Sequence, residues 1–100
     1  MDRLSHGRDL KRGDVLMVHH AFIPKGQRTE RVWRFFGVVL KSGNRFGILH
    51  RIVPGKDGQT EYSLNFNSPM VKAFKLEPDE WPDGVHQVRM QLILTGEIDL

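Results

Sequence analysis

The stretch Arg31-Val32-Trp33-Arg34-Phe35-Phe36-Gly37-Val38-Val39-Leu40 decides the fold of this 100-residue chain. Its valines, phenylalanines and tryptophan suit a pleated, half-buried surface. Alternation at period two puts Arg31, Trp33 and Phe35 on one side of a strand and Val32, Arg34 and Phe36 on the other. Gly37 predicts a bulge or a sharp bend, by which a long strand turns the corner of a small barrel. At least two of the three aromatic rings are expected in the core, with the arginines at its edge. Guanidinium groups suit phosphate contacts there, and flat rings suit base stacking.

The same pattern continues outward in both directions. Upstream, Gly13-Asp14 opens an apolar β-branched run, Asp14 to His20, and residues 24–29 form a polar loop led by Pro24 and Gly26. Downstream, 41–45 is a turn, Phe46 to Val53 a strand, and 54–58 a hairpin loop carrying Asp57-Gly58. Thr60 to Phe66 alternates, Asn67-Ser68-Pro69 breaks the ladder, and Met70 to Leu76 resumes it. Residues 77–84 are an acidic connection with two prolines. Beyond them Val88, Met90, Leu92 and Leu94 alternate with Arg89, Gln91 and Ile93, which predicts a sixth strand. The expected fold is all-β, a small closed barrel or sandwich of about six short strands. A polar N-terminal arm (1–10) precedes the barrel domain (11–96), and an acidic tail (97–100) follows it.

The composition narrows the chemistry. Cysteine is absent, which excludes disulfides, thiol catalysis and cysteine-ligated zinc. No apolar run approaches the ~20 residues needed to span a bilayer as a helix. The first ten residues read neither as a secretory signal, lacking an apolar core, nor as a transit peptide, because Asp2 and Asp9 sit badly there. Among the five histidines, His19 and His20 are adjacent and therefore point to opposite faces of a strand. His50 lies on another strand, and no carboxylate cluster joins it, so no metal site is expected. The serines lie in no nucleophile elbow, and no phosphate-binding glycine loop occurs. Arg12-Gly13-Asp14 matches an adhesion tripeptide, a match that arises readily by chance. The chain is expected to be no enzyme and to need no cofactor or small-molecule substrate.

Charge is distributed unevenly. Residues 1–56 hold twelve Lys or Arg against four acids, a net +8, and residues 57–100 hold three against eight, a net −5. Such asymmetry points to a polyanion on the basic part. Arginine outnumbers lysine nine to six, which favours planar, bidentate phosphate contacts. The candidates for RNA contact are Arg8, Lys11, Arg12, Arg28, Arg31, Arg34, Lys41, Arg45, His50, Arg51 and Lys56. Residues 77–100 carry six acids and Arg89 as their only base, so they are expected to face solvent or another protein, with Trp81 and Ile98 as interface residues.

From Lys11 to Leu76 the sequence resembles the bacterial-type large-subunit ribosomal protein nineteen family. The family's Pro-Gly-Asp-x-Val-x-Val strand corresponds to Arg12-Gly13-Asp14-Val15-Leu16-Met17-Val18, with Arg12 in place of proline. Its Arg-Ile-Gln-x-Phe-Glu-Gly-Val-Val-Ile signature is similar to Arg31 through Leu40, with Phe36 replacing the glutamate. Leu49-His50-Arg51-Ile52 echoes a basic strand, and Thr60 to Val71 echoes the block ending in Ser-Pro. The resemblance implies an SH3-like barrel that binds ribosomal RNA near the interface of the two ribosomal subunits. The implied partners are large-subunit ribosomal RNA, neighbouring ribosomal proteins and a possible contact with the small subunit. The family's basic terminal block aligns on Gly84 to Gly96, where only Arg89 is basic. Such drift suggests a mitochondrial ribosome, with a bacterial cytoplasm or a plastid as alternatives. The competing expectation is a freestanding SH3-like regulatory module that binds RNA or a peptide.

Overall fold

The computed structural model describes residues 3–99. Its elements are β1 (Val15–Phe22), β2 (Arg31–Ser42), β3 (Phe46–Arg51), β4 (Glu61–Asn65), β5 (Val71–Leu76), a 3-10 turn (Pro78–Glu80) and α1 (Val85–Leu94). The five strands form one antiparallel sheet in the order β4-β3-β2-β1-β5. β2 is 12 residues long and serves two neighbours, pairing with β1 from Arg31 to Val38 and with β3 from Gly37 to Ser42.

Period-two alternation sorts the apolar residues onto two faces. Leu16, Val18, Phe35, Val39, Leu49, Leu64 and Ala73 form one buried cluster. Leu64 and Ala73 belong to strands at opposite ends of the sheet, so that face curls inward on itself. No ladder joins β4 to β5 among the described residues, so the sheet shows curl without a paired seam. On the other face Val15, Val38 and Leu76 pack against Val85, Leu92 and Ile98. A helix and the segment after it therefore supply the second layer. Of the three aromatic rings of β2, Phe35 is buried and Phe36 is half-buried against the helix-side core, while Trp33, on the same face as Phe35, is 55% exposed.

Three expectations are corrected. The sixth strand is the helix α1. Val85, Val88, Leu92 and Ile93 recur at helical spacing, and that stripe faces the sheet, while Met90 and Leu94 of the supposed strand face are 56% and 80% exposed. Gly84 precedes the helix at φ +89°, a conformation open to glycine and strained for other residues. The second correction concerns the C-terminal residues. Ile98 is 2% exposed and belongs to the helix-side core, so it is no interface residue. Glu97 and Asp99 beside it are exposed, as the acidic tail requires, and Leu100 lies outside the described residues. The third concerns Gly37. Its φ is not positive, and the register with β3 shifts by one residue between Val39 and Lys41, so the bulge falls at Leu40. Gly37 is needed for another reason: a Cβ there would lie 3.0 Å from Leu49 Cβ and 3.2 Å from its Cδ1.

The N-terminal arm is bound to the domain. The Leu4 amide donates to the Ala73 carbonyl at 2.8 Å, Arg3 bridges to Phe74, and Leu4 and Leu10 pack on the inner cluster. Arg89 ties the helix to the chain before β1, its Nε donating to the Gly13 carbonyl at 3.2 Å and its guanidinium lying 4.8 Å from the centre of the Trp81 ring.

Candidate nucleic-acid interface

The β1–β2 hairpin carries the site because it outruns its neighbours. β5 pairs with β1 only as far as His20, and β3 pairs with β2 only from Gly37 onward. Arg31, Val32, Trp33 and Arg34 are consequently all exposed, four in succession on a strand whose remaining residues are mostly buried. On the inner face, register places Trp33 opposite His20 and Phe35 opposite Val18.

From this end the β3–β4 connection folds back towards the hairpin. It is held by the Gly55 amide on the Gln59 carbonyl (2.8 Å), the Arg51 amide on the Thr60 carbonyl (2.6 Å) and the Gln59 amide on Asp57 Oδ1 (3.0 Å). Between it and β2 lies an open groove of 690 Å³. One wall is aromatic, formed by Trp33, Phe35 and Tyr62: Tyr62 meets Phe35 edge-on at 4.7 Å, and Phe22, outside the groove lining, lies tilted against Trp33 at 4.6 Å. His20 sits between the two pairs, 6.3 Å from Trp33 and 6.4 Å from Tyr62. The other contributors are charged. The Arg51 guanidinium lies 4.6 Å above the Phe35 ring, and Arg34 and Lys56 stand at the rim with Asp57 and Glu61.

Two polar groups show how the groove is tuned. Arg51 Nε is buried without a hydrogen-bond partner among the described residues. A donor in that state costs free energy unless an acceptor reaches it. The Tyr62 hydroxyl is pushed above its ordinary 10.0, chiefly by burial, with the Arg51 charge opposing. Tyr62 is therefore a neutral hydrogen-bonding group at physiological pH.

The predicted RNA-contact residues divide into two groups. Arg34, Arg51 and Lys56 line the aromatic groove, and Arg28 and Arg31 lie in the β1–β2 connection and at the start of β2, at the same end. Arg8, Lys11, Arg12, Lys41 and Arg45 gather at the other end of β2, all exposed. There the Gly7 amide donates to the Asn44 carbonyl, and Ser42 Oγ donates to the Leu10 carbonyl. On β2 itself, Arg34 of one group and Lys41 of the other are seven residues, about 23 Å, apart. His50 belongs to neither group. It is half-buried on the helix-side face, opposite Val38 and Glu61. Trp81 is half-buried against the helix-side core, its Nε1 donating to the Leu76 carbonyl at 3.4 Å and its ring 5.4 Å from His86. Sequence reasoning did not single out Phe22 or Tyr62, and it weighed His20 as a metal ligand. For Tyr62 the signal was present: period two puts it on the same face as Leu64, which is core. Among the described residues no group of three His, Cys, Asp or Glu side chains converges on a common point.

Comparisons with protein families, with curated proteins and with solved structures found no match to this chain.

Proposed function

We propose that this chain is an RNA-binding domain whose curled sheet is an SH3-like barrel, and that it serves as a structural constituent of the large ribosomal subunit near the subunit interface. The observation that carries RNA binding is the groove at the hairpin end, where the half-exposed Trp33 ring and a partnerless Arg51 Nε lie beside Arg34 and Lys56. Base stacking on an aromatic ring contributes about 1–3 kcal/mol per base, and the flanking cations neutralise phosphates. A duplex hides the faces of its bases, so the groove suits an unpaired nucleotide. No catalytic step, cofactor or small-molecule substrate enters this reading. The ribosomal setting, with its neighbouring proteins and a mitochondrial matrix location, rests on the family resemblance of residues 11–76. Helix α1, with Met90 and Leu94 exposed, is the side offered to a neighbouring protein.

Two experiments test the two parts separately. Fluorescence anisotropy of a labelled single-stranded RNA should report binding that Trp33→Ala weakens tenfold or more, and equal affinity of the variant would exclude the groove as the RNA site. On a sucrose gradient in high salt, the native protein should travel with large-subunit particles. Recovery at the top of the gradient, with RNA binding intact, would replace the ribosomal setting by a freestanding RNA-binding regulator.

A further inference from the structure

We propose that the cross-strand row Arg34–His19–Lys72, on the helix-side face of the sheet, is a phosphate-binding site that is centred on His19 and Lys72 and shares only Arg34 with the aromatic groove. His19 pairs with Arg34 of β2 on one side and with Lys72 of β5 on the other. Directly opposed residues share a face with Cβ atoms about 5 Å apart, so the three side chains form one line roughly 10 Å long. Like charges placed opposite one another in a sheet are destabilising, and opposite charges are the favourable pairing. No acid stands in this row. Neither Arg34 nor Lys72 takes part in an ion pair among the described residues, where Lys75 alone pairs, with Asp14 at 3.6 Å.

The centre of the row is held ready. The His19 ring packs against Phe74, 5.3 Å between centroids, which fixes its orientation, and its Nε2 is buried with no partner among the described residues. The charged groups facing His19 are Arg34 from β2 and Lys72 from β5. Arg3 of the N-terminal arm lies one row along, opposite Phe74. An oxyanion over the row would meet a guanidinium fork, an ammonium and an imidazole N–H, the donor set that suits a tetrahedral phosphate. Burial first, and then the two flanking cations, lower the His19 pKa below its ordinary 6.5. A bound anion reverses the effect of those cations, so phosphate binding takes up a proton and strengthens as pH falls.

The phosphate can belong to an RNA backbone or to a small phosphorylated molecule, and titrations of ¹⁵N-labelled protein distinguish these. At pH 6 in chloride buffer, inorganic phosphate should produce saturable shifts at His19, Arg34 and Lys72 and raise the His19 titration midpoint. Lys72→Gln should weaken this binding about tenfold, and Lys75→Gln should leave it unchanged. If a short single-stranded RNA saturates the His19 and Lys72 signals at far lower concentration than phosphate, the backbone is the source. If phosphate saturates the row and RNA leaves His19 and Lys72 untouched, the source is a small phosphorylated molecule. Shifts that grow linearly, or spread equally over Lys25, Lys56 and Lys75, overturn the proposal. The RNA reading of the groove stands or falls separately, on the Trp33 variant.

Discussion

The two ends of β2 solve opposite problems with similar residues. Towards its C-terminal half, Val38 and Val39 are fully buried, one on each face, because α1 covers one side and the curled sheet covers the other. Towards its N-terminal half, Val32 and Trp33 are 52% and 55% exposed, and Arg31 and Arg34 flank them in the open. Both halves are rich in β-branched and aromatic residues. The difference comes from the neighbours: β3 pairs with β2 only from Gly37 onward and α1 packs over Val38, whereas β1 alone pairs with Arg31 to Phe36. An exposed aromatic strand that its own fold leaves uncovered is the place to look for a ligand.

This contrast predicts a division between stability and binding. The largest effect should come from the covered end. Leu92→Ala deletes a side chain that is 3% exposed in the helix-side core and should cost about 2–5 kcal/mol, lowering the melting temperature by on the order of 10 °C or more. A small shift would mean that α1 is only loosely held to the sheet. Next comes Gly37→Ala, whose new Cβ would meet Leu49 at 3.0 Å and should destabilise by about 1–3 kcal/mol. An unchanged melting point would show that β2 and β3 have room to separate.

At the open end the pattern should invert. Trp33→Ala should move stability by less than about 1 kcal/mol while removing most RNA affinity. A large loss of stability would turn Trp33 into a core residue and deprive the groove of its stacking platform. Reversing charge at Arg34 and Lys56 should weaken RNA binding and flatten its salt dependence by about 0.7 in log–log slope for each phosphate no longer neutralised. The same change at Glu77 and Glu80 should do neither. If reversal at Lys11 and Arg12 matters equally, RNA spans the whole length of β2.

The smallest effect is a pH dependence. His19 titrates below its ordinary 6.5 in the folded state, so the unfolded chain binds more protons as pH falls from 6.5 towards the folded value. Stability due to this group is complete above 6.5 and is lost as pH falls through that window. Melting curves of His19→Gln should therefore show a shallower decline between neutral and mildly acidic pH. An unaltered slope would mean that neither burial nor the two cations hold the His19 pKa down.

Much of the sheet was legible because alternation is a local signal. Strand register puts Trp33 and Phe35 on one face and Phe36 on the other, and makes His19 and His20 diverge, as period two requires. The helix was misread because Val88, Met90, Leu92 and Leu94 satisfy period two, while Val85, Val88 and Leu92 satisfy a helical period. Ten residues do not choose between the two without knowing which surface needs covering. Ile98 was misread because its neighbours Glu97 and Asp99 are acidic and exposed, which says nothing about the direction of one side chain. The site was only half legible. Composition identified the basic residues, but the division into two groups depends on the length of β2. His20 and Phe22 meet Trp33 through the β1–β2 pairing, and Tyr62 reaches Phe35 and His20 from β4.

The account of RNA binding turns on RNA being held at the open end of β2. A map of ¹H–¹⁵N amide shifts during titration with a short single-stranded RNA decides it. The largest shifts should fall on Trp33, Arg34, Arg51, Lys56 and Tyr62, with α1 unmoved. Shifts confined to Lys11, Arg12, Lys41 and Arg45, or to Trp81 and α1, would contradict an RNA site in the aromatic groove.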